Sequence, residues 1–115
     1  MGTYLKDDLL LNFKDFKAAG DDEIRKGRFN PAISSYFKAL AILCDFKIYT
    51  DTRMLPKNHA ERFHLLKIHY PEAYRLISPL FEKYRDSYNL RMQKEDAEEI
   101  ARNVIKLKQI FSLEE

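Results

Sequence analysis

The stretch from Asn30 to Ile48 constrains the fold more than any other part of the chain. It opens with an asparagine followed by a proline, a pair typical of a helix N-cap and the first helical position. About five turns follow in which apolar or small residues occupy nearly every side, and such a helix is normally surrounded by other helices. Two charges, Lys38 and Asp45, make it a poor membrane span, since a charge at bilayer depth costs about 3 kcal/mol. We therefore predict a central core helix.

Length and composition fit one soluble helical domain. The 115 residues leave room for a single hydrophobic core, so we expect one domain over residues 1–115. The chain is 45% hydrophobic and 33% charged, and its three glycines and four prolines are too few for a many-stranded sheet. No signal peptide, transit peptide or transmembrane run is recognisable, so we expect a cytoplasmic protein that does not bind membranes. The single cysteine, Cys44, falls in the core helix and cannot form an internal disulfide.

The net charge of +2 implies no partner by itself, but basic residues are mildly concentrated in the middle third. Residues 47–92 hold nine Lys and Arg against five Asp and Glu, which is less dense than the basic field of a dedicated nucleic-acid binder. The three histidines, His59, His64 and His69, are five residues apart. A five-residue step turns about 140° around a helix, so they do not converge on a metal. We expect neither a metal nor another cofactor.

Apolar periodicity predicts a helix on each side of the first turn. The first helix runs from about Leu5 to Lys26. Gly20 falls on its apolar stripe, where glycine costs about 1 kcal/mol relative to alanine, and this indicates a close approach to the central helix. Gly27 ends the helix, and the connection that follows is so short that the first two helices form an antiparallel hairpin.

Three further helices follow a polar connection of about ten residues, YTDTRMLPKN. Asn58 caps a short third helix, with a glutamate three residues later in a capping-box arrangement. Pro71 starts the fourth helix, which ends near Asn89–Met92 and contains Pro79, a residue that should kink or split it. The last helix covers about Glu95 to Phe111. The predicted fold is all-α, an antiparallel bundle of four long helices and one short helix.

The stretch richest in candidate functional side chains runs from Lys83 to Arg91, with the sequence KYRDSYNLR. On a helix, Arg85 shares one face with Tyr88 three residues on and with Asn89 four residues on. An arginine beside a tyrosine and an asparagine suits recognition of phosphate or carboxylate, with ring stacking available. These three are candidate contact residues, and Lys83 and Arg91 supply supporting charge. The alternative is that Arg85 only pairs with a neighbouring acid at the bundle surface.

Two residues of the central helix are added to this candidate site. Tyr36 and Lys38 interrupt its apolar coat. We expect them to face the same side as Arg85, so that the central helix is both the core and one wall of the site.

Several short motifs together resemble the HEPN superfamily of small helical bundles. These are the helical hairpin, YFKAL in the second helix, a capped NH…L third helix and YRDSY in the fourth. The resemblance covers about residues 5–111. It implies a homodimer whose partner is a small nucleotidyltransferase of a toxin–antitoxin pair, a nucleotide or an RNA.

The ribonuclease motif of that superfamily is incomplete in this chain. In ribonuclease members, an arginine is followed by Asn or Asp, three variable residues and a histidine, and the Arg and His of two subunits cleave RNA without metal. Here Arg85 and Asp86 match, but Leu90 stands at the histidine position. A leucine cannot transfer a proton, so the resemblance implies a non-catalytic binding protein. An endoribonuclease that recruits another group for the missing histidine stays open as an alternative.

A second alternative is a helical interaction module of the tetratricopeptide type. The stretch GDDEIRKGRFNPAISSYFKAL resembles one such unit, which predicts a monomer that binds peptides in a groove. No repeat of about 34 residues recurs after Ile48, although about three units are needed to bury a continuous core.

Overall fold

Five helices make up the part of the chain that the structure describes. The structure is a computed structural model that covers residues 2–113, with side chains described from Leu5 onward. The helices are α1 Gly2–Arg25, α2 Phe29–Thr52, α3 His59–His69, α4 Pro71–Asp86 and α5 Lys94–Ile110. Residues 2–113 contain no strand, and none of these five helices is long and apolar enough to cross a bilayer. The predicted all-α bundle is confirmed.

The helix α2 is the centre of the bundle, and α1, α3, α4 and α5 all pack against it. Its buried residues occur along its whole length, from Ala32 and Ile33 near the start to Ile48 near the end. Ile77 of α4 and Ile100 of α5 are fully buried in the same core. Burying an isoleucine side chain contributes roughly 1.5–3 kcal/mol, so α2 supplies the surface on which the other helices gain their stability.

The helices α1 and α2 form the hairpin that the glycines predicted. Gly27 has a φ of +72°, in the left-handed region that glycine adopts without strain, and its N–H donates to the Ile24 carbonyl oxygen at 3.0 Å. Gly20 lies against the ring of Tyr36, because a Cβ at this position would be 2.6 Å from two ring carbons. The predicted close approach of α1 to the central helix is therefore confirmed.

Asn30 does not cap α2, contrary to the prediction. The helix begins at Phe29, and the residue before it, Arg28, makes no side-chain capping bond. Asn30 lies inside the first turn, where its side chain bonds to a distant loop that is described below. The Asn-Pro signal located the helix start within one residue but gave the asparagine the wrong role.

The end of α2 also lies beyond the predicted end at Ile48. The polar residues of the last turn have partners there, because the Asp51 carboxylate accepts a hydrogen bond from the Tyr70 hydroxyl at 2.6 Å. The Thr52 hydroxyl donates to the Ile48 carbonyl oxygen at 2.7 Å. The helix therefore continues to Thr52, and the connection to α3 is residues 53–58 rather than about ten residues.

The third and fourth helices start as predicted. Asn58 caps α3 with its Oδ1, which accepts from the N–H of Glu61 at 2.8 Å. The helix α4 continues across Pro79 and does not split there. It ends at Asp86, before the predicted end near Asn89–Met92.

The helix α5 matches its prediction within one residue at each end. It begins at Lys94 and ends at Ile110, against a predicted range of about Glu95 to Phe111. Its buried residues form one stripe along the helix. The stripe consists of Ala97, Ile100, Val104 and Leu107, and Phe111 is buried just beyond the helix.

Candidate binding surface

Asn30 braces the loop that follows α4, residues 87–93. Its side-chain Nδ2 donates to the carbonyl oxygens of Ser87 and Leu90, each at 2.7 Å, and its Oδ1 accepts from the N–H of Met92 at 3.1 Å. The buried Ser87 hydroxyl donates to a carbonyl oxygen in the last turn of α4 at 2.6 Å. One amide thus satisfies three backbone groups, and the loop has a defined conformation relative to the start of α2.

The braced loop carries two exposed apolar side chains. Tyr88 is 68% exposed and Leu90 is 57% exposed. The Tyr88 ring packs edge-on against that of Tyr84 with centroids 5.4 Å apart, and the two hydroxyls are hydrogen-bonded at 2.7 Å. Burial and this hydrogen bond raise the pKa of Tyr84 to about 12, so Tyr84 stays neutral at physiological pH. Because α4 ends at Asp86, Tyr88 and Asn89 project from the loop and not from the predicted helix face.

Two exposed arginines flank these side chains. The Arg85 guanidinium lies 5.0 Å from the centroid of the Phe81 ring, a cation–π distance. Neither Arg85 nor Arg91 forms an ion pair with a described residue, so the pairing of Arg85 with a neighbouring acid is not seen. We call the surface formed by Arg85 and residues 88–91 the loop surface.

Lys83 is turned away from the loop surface. Its ammonium lies 2.9 Å from the Asp96 carboxylate and also contacts that of Glu99, both on α5. Burial opposes the shift, but the two carboxylates together raise the pKa of Lys83. The charge of Lys83 is therefore neutralised within the bundle and links α4 to α5.

The two candidate residues of α2 also lie elsewhere. The Tyr36 hydroxyl donates to the Asp21 carboxylate at 2.6 Å, and the Lys38 ammonium lies 5.7 Å from the centroid of the Phe16 ring. Both contacts are made with α1, and α1 does not contact α4, which carries Arg85. The structure therefore does not bring Tyr36 and Lys38 to the same side as Arg85.

A buried charge network, which sequence reasoning missed, ties α3 to α2. Arg62 forms a two-point salt bridge with Asp45, with Nε to Oδ1 at 2.7 Å and Nη2 to Oδ2 at 2.9 Å. The remaining nitrogen, Nη1, is 2.8 Å from His59 Nδ1. The side chains of Arg62 and Asp45 are only 11% and 12% exposed. The one signal in the sequence was Asp45, an acid in a largely apolar helix, but spacing cannot identify a partner on another helix.

His59 lies close to two aromatic residues of α4 that border the candidate site. Its ring lies 4.9 Å from that of Phe81 and 6.3 Å from that of Tyr84, measured between centroids. Burial and then the charge of Arg62 lower the pKa of His59, so the ring is neutral at pH 7. Because a guanidinium only donates hydrogen bonds, Nδ1 accepts and the ring proton lies on Nε2. In this tautomer Nε2–H can donate a hydrogen bond, but the neutral ring does not release that proton near pH 7, and Nδ1 cannot accept a proton while Arg62 stays in place.

The arrangement of the loop surface suits binding and not proton transfer. Leu90 is an apolar side chain that cannot transfer a proton, and no carboxylate or imidazole belongs to the surface. Within residues 2–113, no three His, Cys, Asp or Glu side chains are grouped closely enough to hold a metal ion. No family model matches the chain, and no curated protein or solved structure is significantly similar to it. The function must therefore be inferred from the residues of the chain itself.

Proposed function

We propose that this chain is a non-catalytic binding protein of the HEPN type. It forms a homodimer through the loop surface, and by the same resemblance a small nucleotidyltransferase is its expected second partner. The lengths of the helices support the fold part of this proposal, because four helices have 16–24 residues and one has 11. Leu90, in place of the histidine, supports the absence of catalysis.

The observation that carries the proposal is the exposure of Tyr88 and Leu90 on a braced loop. Tyrosine and arginine are the residues that most often dominate protein–protein binding energy, and the loop surface combines both types. A loop that is already ordered loses little conformational entropy on binding. The three hydrogen bonds of Asn30 provide that order in the free protein.

The charge of the loop surface favours a protein partner over a nucleic acid. Affinity for nucleic acids comes mainly from several Lys and Arg side chains that contact phosphates. Here only Arg85 and Arg91 are available, because Lys83 is held by Asp96 and Glu99. Two cations around a tyrosine and a leucine suit a protein interface with a polar rim.

Sedimentation velocity tests the dimer. The double variant Tyr88→Ser/Leu90→Ser removes both exposed side chains, and we expect it to sediment as a monomer at concentrations where the parent is a dimer. Ile68→Ser is the matched control, because Ile68 on α3 is 57% exposed, as Leu90 is, and we expect this variant to stay dimeric. A monomeric parent, or a double variant that remains dimeric, would contradict the proposal.

The partner class is tested with the parent and Arg85→Ala. Each protein is titrated with ATP and with a labelled single-stranded RNA, at low and at physiological salt. We expect no binding of either ligand that depends on Arg85. RNA binding that is lost in Arg85→Ala and weakens steeply with salt would favour a nucleic-acid partner instead.

A metal-independent endoribonuclease is the second candidate function. It is favoured by one observation: the Phe81 ring contacts both the Arg85 guanidinium, at 5.0 Å, and the His59 ring, at 4.9 Å. His59 would be the group recruited for the missing histidine, which requires that the Arg62 guanidinium first leave its Nδ1. The test is incubation of the purified protein with total RNA in a chelator. Cleavage that is abolished by both Arg85→Ala and His59→Gln would establish this function, and intact RNA would exclude it.

A further inference from the structure

A groove runs along the bundle between α1 and α5. The two helices both pack on α2 but touch each other only slightly. Two adjoining cavities of about 230 and 360 Å³ occupy the space between them, and both are lined by Lys17 and Asp21. One cavity reaches Leu10 on α1 and the other reaches Glu98 on α5. The groove is separate from the loop surface, because α1 makes no contact with α4.

The bottom and walls of the groove are apolar. Leu43 and Tyr36, which are seven residues apart on one face of α2, lie beneath the groove and are buried at its base. Phe13 is part of the α1 wall, and Ile105 is part of the α5 wall. Ile105 is 52% exposed, although other apolar residues of α5 are buried in the core. An exposed isoleucine at the edge of an apolar groove is suited to contact another apolar surface.

The rim of the groove is positively charged. Four basic side chains, Lys14, Lys17, Arg102 and Lys108, line it together with two acidic ones. Lys17 is paired with Asp21 at 3.1 Å. The other three basic groups form no ion pair with a described residue, so the rim keeps a net positive charge.

We propose that this groove binds an amphipathic helix of a partner protein, with the apolar face of that helix against Ile105 and with acidic residues along its edges. Between Leu10 and Asp21 the groove wall is about 16 Å long, at about 1.5 Å per residue, which accommodates about three helical turns. The walls and the floor are helices, and the described residues offer no strand edge to which an extended peptide could add. The positive rim selects acidic flanks.

Fluorescence polarisation with labelled peptides tests the proposal. The probe is a lactam-bridged helical peptide of about 14 residues with leucines on one face and glutamates beside them. A second peptide has the same leucines and lysines in place of the glutamates. We expect the acidic peptide to bind and the basic peptide to bind at least about tenfold more weakly. Equal binding of the two peptides, or no binding of the acidic one, would overturn the proposal.

Paired variants locate the binding site. Ile105→Glu places a charge at the edge of the groove, and we expect it to weaken binding of the acidic peptide about tenfold or more. Ile68→Glu is the matched control, because Ile68 is 57% exposed on α3, outside the groove, and we expect parental affinity. Lys14→Glu/Arg102→Glu, at two exposed positions, should also weaken binding without affecting the core. Equal effects of Ile105→Glu and Ile68→Glu would mean that the peptide does not bind in the groove.

Two further measurements separate this inference from its competitors. Tyr88→Ser/Leu90→Ser should leave peptide affinity unchanged, so failure of the dimer and failure of the groove are distinguishable. Single-stranded RNA is the competing occupant of a positive rim. If RNA displaced the acidic peptide and bound more tightly than it, the groove would be a nucleic-acid site and the inference would be wrong.

Discussion

At the scale of single residues, the contact between Gly20 and Tyr36 sets how closely α1 approaches α2. A Cβ on residue 20 would lie 2.6 Å from two carbons of a ring that is itself only 2% exposed. The ring cannot move freely, because its hydroxyl is bonded to Asp21 at 2.6 Å. Gly20→Ala gains about 1 kcal/mol of helix propensity. Overpacking of this kind costs about 1–3 kcal/mol, so after the gain in propensity we expect a net loss of up to about 2 kcal/mol in urea unfolding.

A double-mutant cycle tests whether the Tyr36 ring causes that loss. In a Tyr36→Ala background the ring is gone, and Gly20→Ala should then stabilise the protein through helix propensity alone. A stability change that is negative in the parent and positive in the Tyr36→Ala background is expected only if the ring causes the loss. A Gly20→Ala change that destabilises both backgrounds equally would mean that the backbone at residue 20, and not the ring, requires glycine.

Gly20 and Asn30 show what a single residue reveals in a sequence. A glycine on the apolar stripe of a helix has one common physical reason, close approach, and the prediction from Gly20 is confirmed. An asparagine before a proline also has a common reason, the N-cap, and there the prediction was wrong. Three backbone groups of the 87–93 loop, about 60 residues away, bind the Asn30 side chain instead. A local sequence pattern cannot show that distant backbone groups, and not the start of α2, bind this side chain.

At the scale of elements, α3 depends on the salt bridge between Arg62 and Asp45. Arg62→Met removes one partner and leaves a carboxylate in a site where it is only 12% exposed. Breaking a buried pair in this way costs about 3–5 kcal/mol, and we expect a loss of that size in urea unfolding. Amide hydrogen exchange should increase most in α3, the shortest helix, because this pair is its polar link to α2.

The double variant Asp45→Leu/Arg62→Met distinguishes an unpaired charge from lost packing. With both charges replaced by apolar groups, no desolvated charge is left, and we expect the double variant to be more stable than Arg62→Met alone. Arg75→Met, at an exposed position on α4, is the control and should change stability little. If the double variant were the less stable of the two, the loss in Arg62→Met would come from packing and not from an unpaired carboxylate.

The helices themselves could be predicted because their apolar residues repeat with the helical period. The ends of the helices could not be predicted where side chains from other elements determine at which residue a helix stops. The stretch after Asp86 contains no helix breaker before Met92, so periodicity extended α4 too far. In the structure, Asn30 accepts and donates hydrogen bonds with the backbone of residues 87–92, which stabilises a loop there. Likewise, Asp51 accepts a hydrogen bond from the Tyr70 hydroxyl. It lies in the last turn of α2, which the sequence pattern assigned to the polar connection.

At the scale of the whole molecule, part of the candidate site was predictable from local composition. Arg85, Tyr88 and Asn89 lie near one another in the chain, so short-range reasoning placed them on one surface. The assignment of Tyr36 to that surface required knowledge of which way α2 faces each neighbour. The Asp45–Arg62–His59 network required a contact between two helices, which periodicity does not supply. Proximity in sequence is therefore the limit of what could be foreseen about the site.

The stability of the whole protein should depend on pH through His59. Burial and the charge of Arg62 lower its pKa in the folded state below the value of 6.5 expected for the unfolded chain. Below pH 6.5 the unfolded chain therefore binds a proton that the folded protein does not. The stability that His59 contributes is fully present above pH 6.5 and is lost as the pH falls through the lowered folded-state pKa. In that interval the slope for one proton cannot exceed about 1.4 kcal/mol per pH unit, and solvent screening of the partly buried ring reduces it.

Urea unfolding of the parent and His59→Gln between about pH 5 and 8 measures this dependence, a range in which most carboxylates remain charged. Glutamine keeps an oxygen that can accept the hydrogen bond from Arg62 but cannot be protonated, so the variant should lose stability less steeply below pH 6.5. His64→Gln, at an exposed position on the same helix, removes a histidine outside the network and should retain the parent's profile. If His59→Gln kept the parent's slope, the acid sensitivity would come from other groups, and protonation of His59 would not disturb the junction of α2 and α3.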